Sequence, residues 1–151
     1  MKRYKFAKII VNHFPTRADL ENPYIFGGIR AVMNVSENED EEMVSSFYTK
    51  GIEYYHFPLK EEVADMGWEN IIRAVSIILD KIRNEIPVMI HCTGGNNRSR
   101  LVAECVYYSI YGSDYPDDYK GEVNHLIYNV KNHHIPYSLD AVHKELKGLF
   151  S

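Results

Sequence analysis

The segment PVMIHCTGGNNRSRLVAE, residues 87–104, constrains the fold more than any other part of the chain. It opens as a short apolar run behind a proline, the pattern of a strand buried on both faces. A loop with two adjacent glycines, Gly94 and Gly95, and two asparagines, Asn96 and Asn97, comes next. Residues 101–111 are apolar enough to form a central helix, closed by Gly112. A strand, a tight loop and a helix in direct succession form the repeating unit of an α/β layer structure with a mainly parallel sheet. In such sheets ligands gather at the carboxyl ends of the strands, which is where His91 and Cys92 fall.

The rest of the chain supplies further units of the same kind. Residues 8–11 read as a short strand after an exposed start, and residues 12–23, polar and holding Pro15 and Pro23, as a loop. Residues 31–35 (AVMNV) have the look of a second buried strand. Residues 36–40 offer capping groups and acid for a helix start. Met43, Val44, Phe47 and Tyr48 share one face of that helix, and Gly51 suits its end. Residues 52–57 form the next strand, Pro58 stops it, and residues 59–67 make an acidic loop. Trp68, Ile71, Ile72, Val75, Leu79 and Ile82 mark a long amphipathic helix, and residues 115–150 read as two or three helices broken near Ile135 and Pro136. With no repeat, low-complexity tract or linker to divide it, the expectation is one compact α/β domain over residues 1–151, its central sheet mainly parallel and flanked by helices.

Composition narrows the function. At 45% hydrophobic and 25% charged residues the chain is ordinary globular protein, and a net charge of −4 gives no global field for nucleic acid or an anionic membrane. No secretory signal and no membrane-spanning stretch is read, so the expectation is a cytoplasmic monomer without membrane contact. The 2 cysteines, Cys92 and Cys105, predict no disulfide. Cys105 falls among apolar neighbours on the helix after the loop and reads as core packing rather than as a resolving thiol. His133 and His134 have no acid or cysteine at ligand spacing and read as a helix end; no metal and no cofactor is expected.

The chemistry sits in the loop. Between Cys92 and Arg98 the chain is short enough to wrap at a helix N-terminus and aim successive backbone N–H groups at one anion. Gly94 and Gly95 allow the backbone angles and the close approach this needs. The same field favours a Cys92 thiolate, and Arg98 can grip two oxygens of a phosphate. Thr93, Gly94, Gly95, Asn96, Asn97 and Arg98 are thus the candidate phosphate-binding set. Ser99 can hydrogen-bond the sulfur and ease its departure, can cap the helix, or can do both. His91 is expected to orient the loop rather than act as a base.

The run HCTGGNNRS, residues 91–99, matches the HCxxGxxR(S/T) signature of the protein tyrosine and dual-specificity phosphatase superfamily at every fixed position. GIRAVMNVSE (residues 28–37) resembles that family's strand leading into its variable loop, and YYHFPLKE (residues 54–61) the stretch leading into its general-acid loop. Residues 124–149 resemble the closing helices of small dual-specificity phosphatases. The resemblance implies a dual-specificity-phosphatase-like fold, and hydrolysis of phosphate monoesters through a phosphocysteine formed on Cys92. In the family an aspartate protonates the leaving oxygen; here the aligned residue is Glu61, with Glu62 and Asp65 just beyond, so Glu61 or Asp65 is the candidate acid. Phosphoinositide phosphatases of the superfamily place lysines where this loop has uncharged residues, which disfavours that substrate class. The pattern HCTxGxNR is also similar to the RNA 5′-triphosphatase branch, which does not depend on the aspartate. Ser99 and Arg100 in place of Thr-Gly, and the acidic net charge, weigh against an RNA 5′ end. The expected activity is protein tyrosine or dual-specificity phosphatase, on a phosphorylated protein or small aryl phosphate. Two alternatives remain: an RNA 5′-triphosphatase-like enzyme, or an inactive module that only binds phosphate.

Overall fold

Short apolar runs build the sheet of this computed structural model, which describes residues 1–60, 68–94, 98–113 and 115–116. Its strands are β1 (Lys2–Arg3), β2 (Ile9–Asn12), β3 (Ala31–Asn34), β4 (Glu53–His56) and β5 (Val88–His91). They form a 5-stranded sheet in the order β1-β2-β5-β3-β4. β1 pairs antiparallel with β2, and every other pairing is parallel. The central strands β2, β3 and β5 are buried throughout, whereas β4 at the edge is only partly covered. This is the mainly parallel α/β sheet expected.

Helices cover both faces. They are α1 (Arg17–Leu20), α2 (Pro23–Phe26), α3 (Glu41–Thr49), α4 (Trp68–Arg83) and α5 (Arg98–Tyr111). Alternate side chains along the strands divide the core. Val11, Met33 and Ile90 pack with Ile71, Val75 and Ile78 of α4 and with Leu101 and Val102 of α5. Ile10, Val32 and Met89 pack on the other face with Met43 and Phe47 of α3 and with Leu20 and Phe26. Each fully buried Ile, Val or Leu contributes about 1.5–3 kcal/mol, so these two layers hold the strand ends in place.

Several details differ from expectation. The segment 12–23 is not all loop. Thr16 accepts a hydrogen bond from Asp19 N while the Asp19 carboxylate accepts from Thr16 N, a capping box that starts α1; Asn22 caps α2 with Pro23 in its first turn. β2 runs one residue further than expected, because Asn12 stays in register with His91, and His91 with Asn34. On α3, Tyr48 is 66% exposed and leaves Met43 and Phe47 to the core. On α4, Ala74 and Ile78 complete the buried face with Ile71 and Val75, while Ile72, Leu79 and Ile82 flank it. α5 begins at Arg98, a turn before the apolar run, and ends before Gly112, whose φ of 71° only glycine adopts freely. The helices expected over residues 117–150, with His133 and His134, lie outside the described residues. Among the described residues no helix is long and apolar enough to cross a membrane.

Candidate active site

β5 delivers Cys92 to the carboxyl rim of the sheet, and α5 returns Arg98 and Ser99 to the same point. Cys92 is 2% exposed and lies in the core between α4 and α5. Its sulfur is 3.2 Å from Ser99 Oγ, close enough for the hydroxyl to donate when the sulfur is a thiolate. Arg98 is buried; Nη1 donates to Leu59 O at 2.9 Å and Nη2 to Thr93 Oγ1 at 3.1 Å. Leu59 N in turn donates to Val35 O at 3.0 Å, and Val35 N donates to His91 O at 2.9 Å. The exits of β3, β4 and β5 are thus laced together and tied to the guanidinium, which fixes its plane.

A polar row closes the α3 face at this rim. Asn12, His91, Asn34 and His56 are register partners across β2, β5, β3 and β4. Asn34 Oδ1 accepts from Ser36 N at 2.9 Å and Ser36 Oγ at 2.7 Å, and Nδ2 donates to Asn38 O and to Tyr54 Oη. His56 Nε2 donates to Ser36 O at 2.8 Å, with Nδ1 3.5 Å from Glu39 Oε1. These bonds set the turn after β3. His91 is 1% exposed, with Nδ1 3.4 Å from Cys92 O and its ring edge-on to Phe14 at 4.8 Å. Burial pushes its pKa down to about 4, so at neutral pH it is an uncharged imidazole.

Phe14 forms the other edge of the site. Its N–H donates to Thr93 O at 3.0 Å, holding the exit of β2 against the loop. Beside it opens a groove of about 620 Å³, with Phe14 and Thr93 on one side and residues 38–42 on the other. The second wall carries Glu39, Asp40, Glu41 and Glu42. Asp40 Oδ1 caps α3 by accepting from Glu42 N and Met43 N, and Arg17 meets Glu42 at the outer rim. The groove is acidic where it adjoins Thr93.

Of the residues expected at the site, the structure brings together His91, Cys92, Thr93, Arg98 and Ser99, with Gly94 following Thr93 at the surface. Gly95, Asn96, Asn97, Glu61, Glu62 and Asp65 lie outside the described residues. Cys105 is 2% exposed in the same core as Cys92, as expected of a packing residue, and neither is in a disulfide. Tyr24 is 70% exposed with the Arg3 guanidinium over its ring, and the Tyr54 hydroxyl accepts from Asn34. Phe14, Asn34 and the Leu59 carbonyl belong to the site and were not expected. Asn34 could have been singled out as the polar end of an apolar run; nothing local marks the other two.

Neither a family model nor a curated protein matches the sequence. Solved structures do match. The core catalytic domain of the PP-IP phosphatase SIW14 from S. cerevisiae superposes with a TM-score of 0.60 at 13% identity, over 93% of this chain and 79% of that one. PTPMT1 matches with a TM-score of 0.62 at 15% identity, over 94% and 93% of the two chains. Tk-PTP in its active form gives 0.57 at 20% identity, over 93% and 91%. The fold is therefore that of cysteine-dependent protein tyrosine and dual-specificity phosphatases, the one implied by the signature at residues 91–99.

Proposed function

We propose that this chain hydrolyses phosphate monoesters through a phosphocysteine intermediate, acting on phosphorylated protein as a tyrosine or dual-specificity (Tyr/Ser/Thr) phosphatase. The observation that carries the reading is the seat of Cys92. Its sulfur lies 3.2 Å from Ser99 Oγ at the head of α5, and Arg98 is bonded into the same loop through Thr93. The positive end of α5 and the guanidinium favour a thiolate there.

In this mechanism the Cys92 thiolate attacks phosphorus and an S–P bond forms. The P–O bond to the leaving group breaks, its electron pair stays on oxygen, and that oxygen takes a proton. Glu61 or Asp65 is assigned the donor; both follow closely on Leu59, whose carbonyl Arg98 already holds. Arg98 grips two phosphoryl oxygens, most strongly as charge spreads in the transition state. Water then attacks the phosphocysteine and gives its proton to the carboxylate left by the first step; the S–P bond breaks with its electron pair on sulfur, and the Ser99 hydroxyl donates a hydrogen bond to the departing thiolate.

The acidic groove supports a peptide substrate. Carboxylates at residues 39–42 repel further phosphates beside the one being cleaved. PP-IP, in the name of the phosphatase SIW14, and PI(5)P, in complex with PTPMT1, would bring such charge; a peptide with basic residues near its phosphorylated side chain would not.

The test is phosphate release from an aryl phosphate, a phosphotyrosine peptide and 5′-triphosphorylated RNA, each with wild type and Cys92→Ser. Cys92-dependent release from the first two is the expected result. Release from RNA alone moves the protein to triphosphatase chemistry. If wild type and Cys92→Ser release equally little from all three, while a phosphopeptide still binds, the chain is a binding module.

A further inference from the structure

Asn12 is the unexplained residue of the polar row. It is 1% exposed at the end of β2, and among the described residues neither Nδ2 nor Oδ1 has a hydrogen-bond partner. Leaving a buried amide unpaired costs a protein more than replacing it by an apolar side chain of similar shape. The strand around it is apolar, and Ile9, Ile10 and Val11 precede it, so a valine would suit the position. The other members of the row have work. Asn34 fixes the turn after β3, His56 holds that turn through Ser36 O, and His91 leads into Cys92.

The place of Asn12 says what the amide is for. Its register partner is His91, the residue before the nucleophile, and parallel register puts both side chains on the α3 face of adjacent strands. Two residues on, Phe14 N donates to Thr93 O, so the exit of β2 is bonded to the phosphate-binding loop itself. His91 Nδ1 faces Cys92 O, a group that can only accept, so Nδ1 carries the proton and Nε2 is left as an acceptor. An amide N–H₂ on the neighbouring strand is the donor that such a nitrogen lacks.

Resting on the phosphatase reading, we propose that Asn12 is a positioning residue of the catalytic loop. Its Nδ2 donates to His91 Nε2 when the loop holds phosphate, fixing the ring that stands behind Cys92. In the phosphate-free state the amide is held in reserve at a cost in stability. It is not a catalytic residue, since it acts on the reacting sulfur only through His91.

The experiment compares wild type with Asn12→Val and Asn12→Thr, which have nearly the same shape and differ by one hydroxyl. Three quantities are read: melting temperature without phosphate, the rise in melting temperature with inorganic phosphate, and kcat/KM on an aryl phosphate. Asn12→Val is expected to melt at or above wild type without phosphate, yet to lose the phosphate-induced rise and about tenfold in kcat/KM, the factor carried by one hydrogen bond. Asn12→Thr, which keeps a donor, is expected to recover part of both. A valine variant that binds phosphate and turns over like wild type overturns the proposal. So does one that melts lower without phosphate, because the amide is then already paired in the free protein. The phosphate-induced rise needs no turnover. If wild type proves inactive but Asn12→Val alone loses that rise, the proposed catalysis fails and the assignment of Asn12 stands.

Discussion

His91 is a titratable side chain that burial has taken out of the range where histidine usually titrates. Its pKa falls from 6.5 to about 4, chiefly through desolvation; the contact with Cys92 O opposes this, and repulsion from His56 and His13 adds smaller downward pushes. Between those two pH values the unfolded chain binds a proton that the folded one refuses. Stability is therefore complete above about pH 6.5 and falls as pH drops toward 4, by on the order of 3 kcal/mol for this residue. Asp19 behaves in the opposite sense. Burial raises its pKa, but hydrogen bonds from Thr16 and His13 outweigh this, so its contribution disappears only below the usual 3.8, outside the His91 window. Urea melts at closely spaced pH values should show wild type losing more stability than His91→Asn between pH 6.5 and 4. Parallel curves for the two proteins would mean that His91 takes up its proton as readily in the fold as in the unfolded chain.

At the scale of the element, α3 shows what a single cap is worth. Asp40 Oδ1 accepts from Glu42 N and Met43 N, and Glu41 and Glu42 add negative charge to the first turn. Asp40→Ala should destabilise the protein by about 1 kcal/mol in chemical denaturation, whereas Glu41→Gln, off the cap, should move it by only a few tenths. Equal effects would assign the helix start to net charge rather than to the cap. Elements of this kind were legible because their signals are local. The apolar runs of β3 and β5, the face of α4 and the glycines after α3 and α5 all stand in the sequence. Tyr48 was misplaced because spacing alone cannot say how wide a buried face will be. The short helices α1 and α2 were missed because a loop-like composition outweighed a capping box and an Asn-Pro start. The centre of the site was legible for a similar reason, since Cys92, Arg98 and Ser99 fall within one contiguous run. Phe14, Leu59 and Asn12 come from other strand exits, and only the parallel register places them beside that run.

Across the whole molecule, the placement of charge matters more than its sum. A net charge of −4 is modest, but the carboxylates of residues 39–42 gather along one wall beside Thr93, whose hydroxyl accepts a hydrogen bond from Arg98. On the phosphatase activity proposed above, a substrate presents its phosphate to Arg98 and its flank to an acidic surface. A phosphopeptide with lysine or arginine next to the phosphorylated residue meets both demands; one with glutamate there meets only the first. At low ionic strength the basic peptide should exceed the acidic one in kcat/KM by about tenfold, mostly through KM. Because the wall is exposed, the gap should shrink as salt is raised and the screening length falls from about 10 Å at 0.1 M to about 3 Å at 1 M. The double variant Glu41→Lys with Glu42→Lys should erase or reverse the preference while leaving an aryl phosphate with no charge beyond its phosphate turning over at the wild-type rate. A preference that survives both salt and charge reversal would have to arise from shape, and would move the recognition of the peptide from this groove to another face of the cleft.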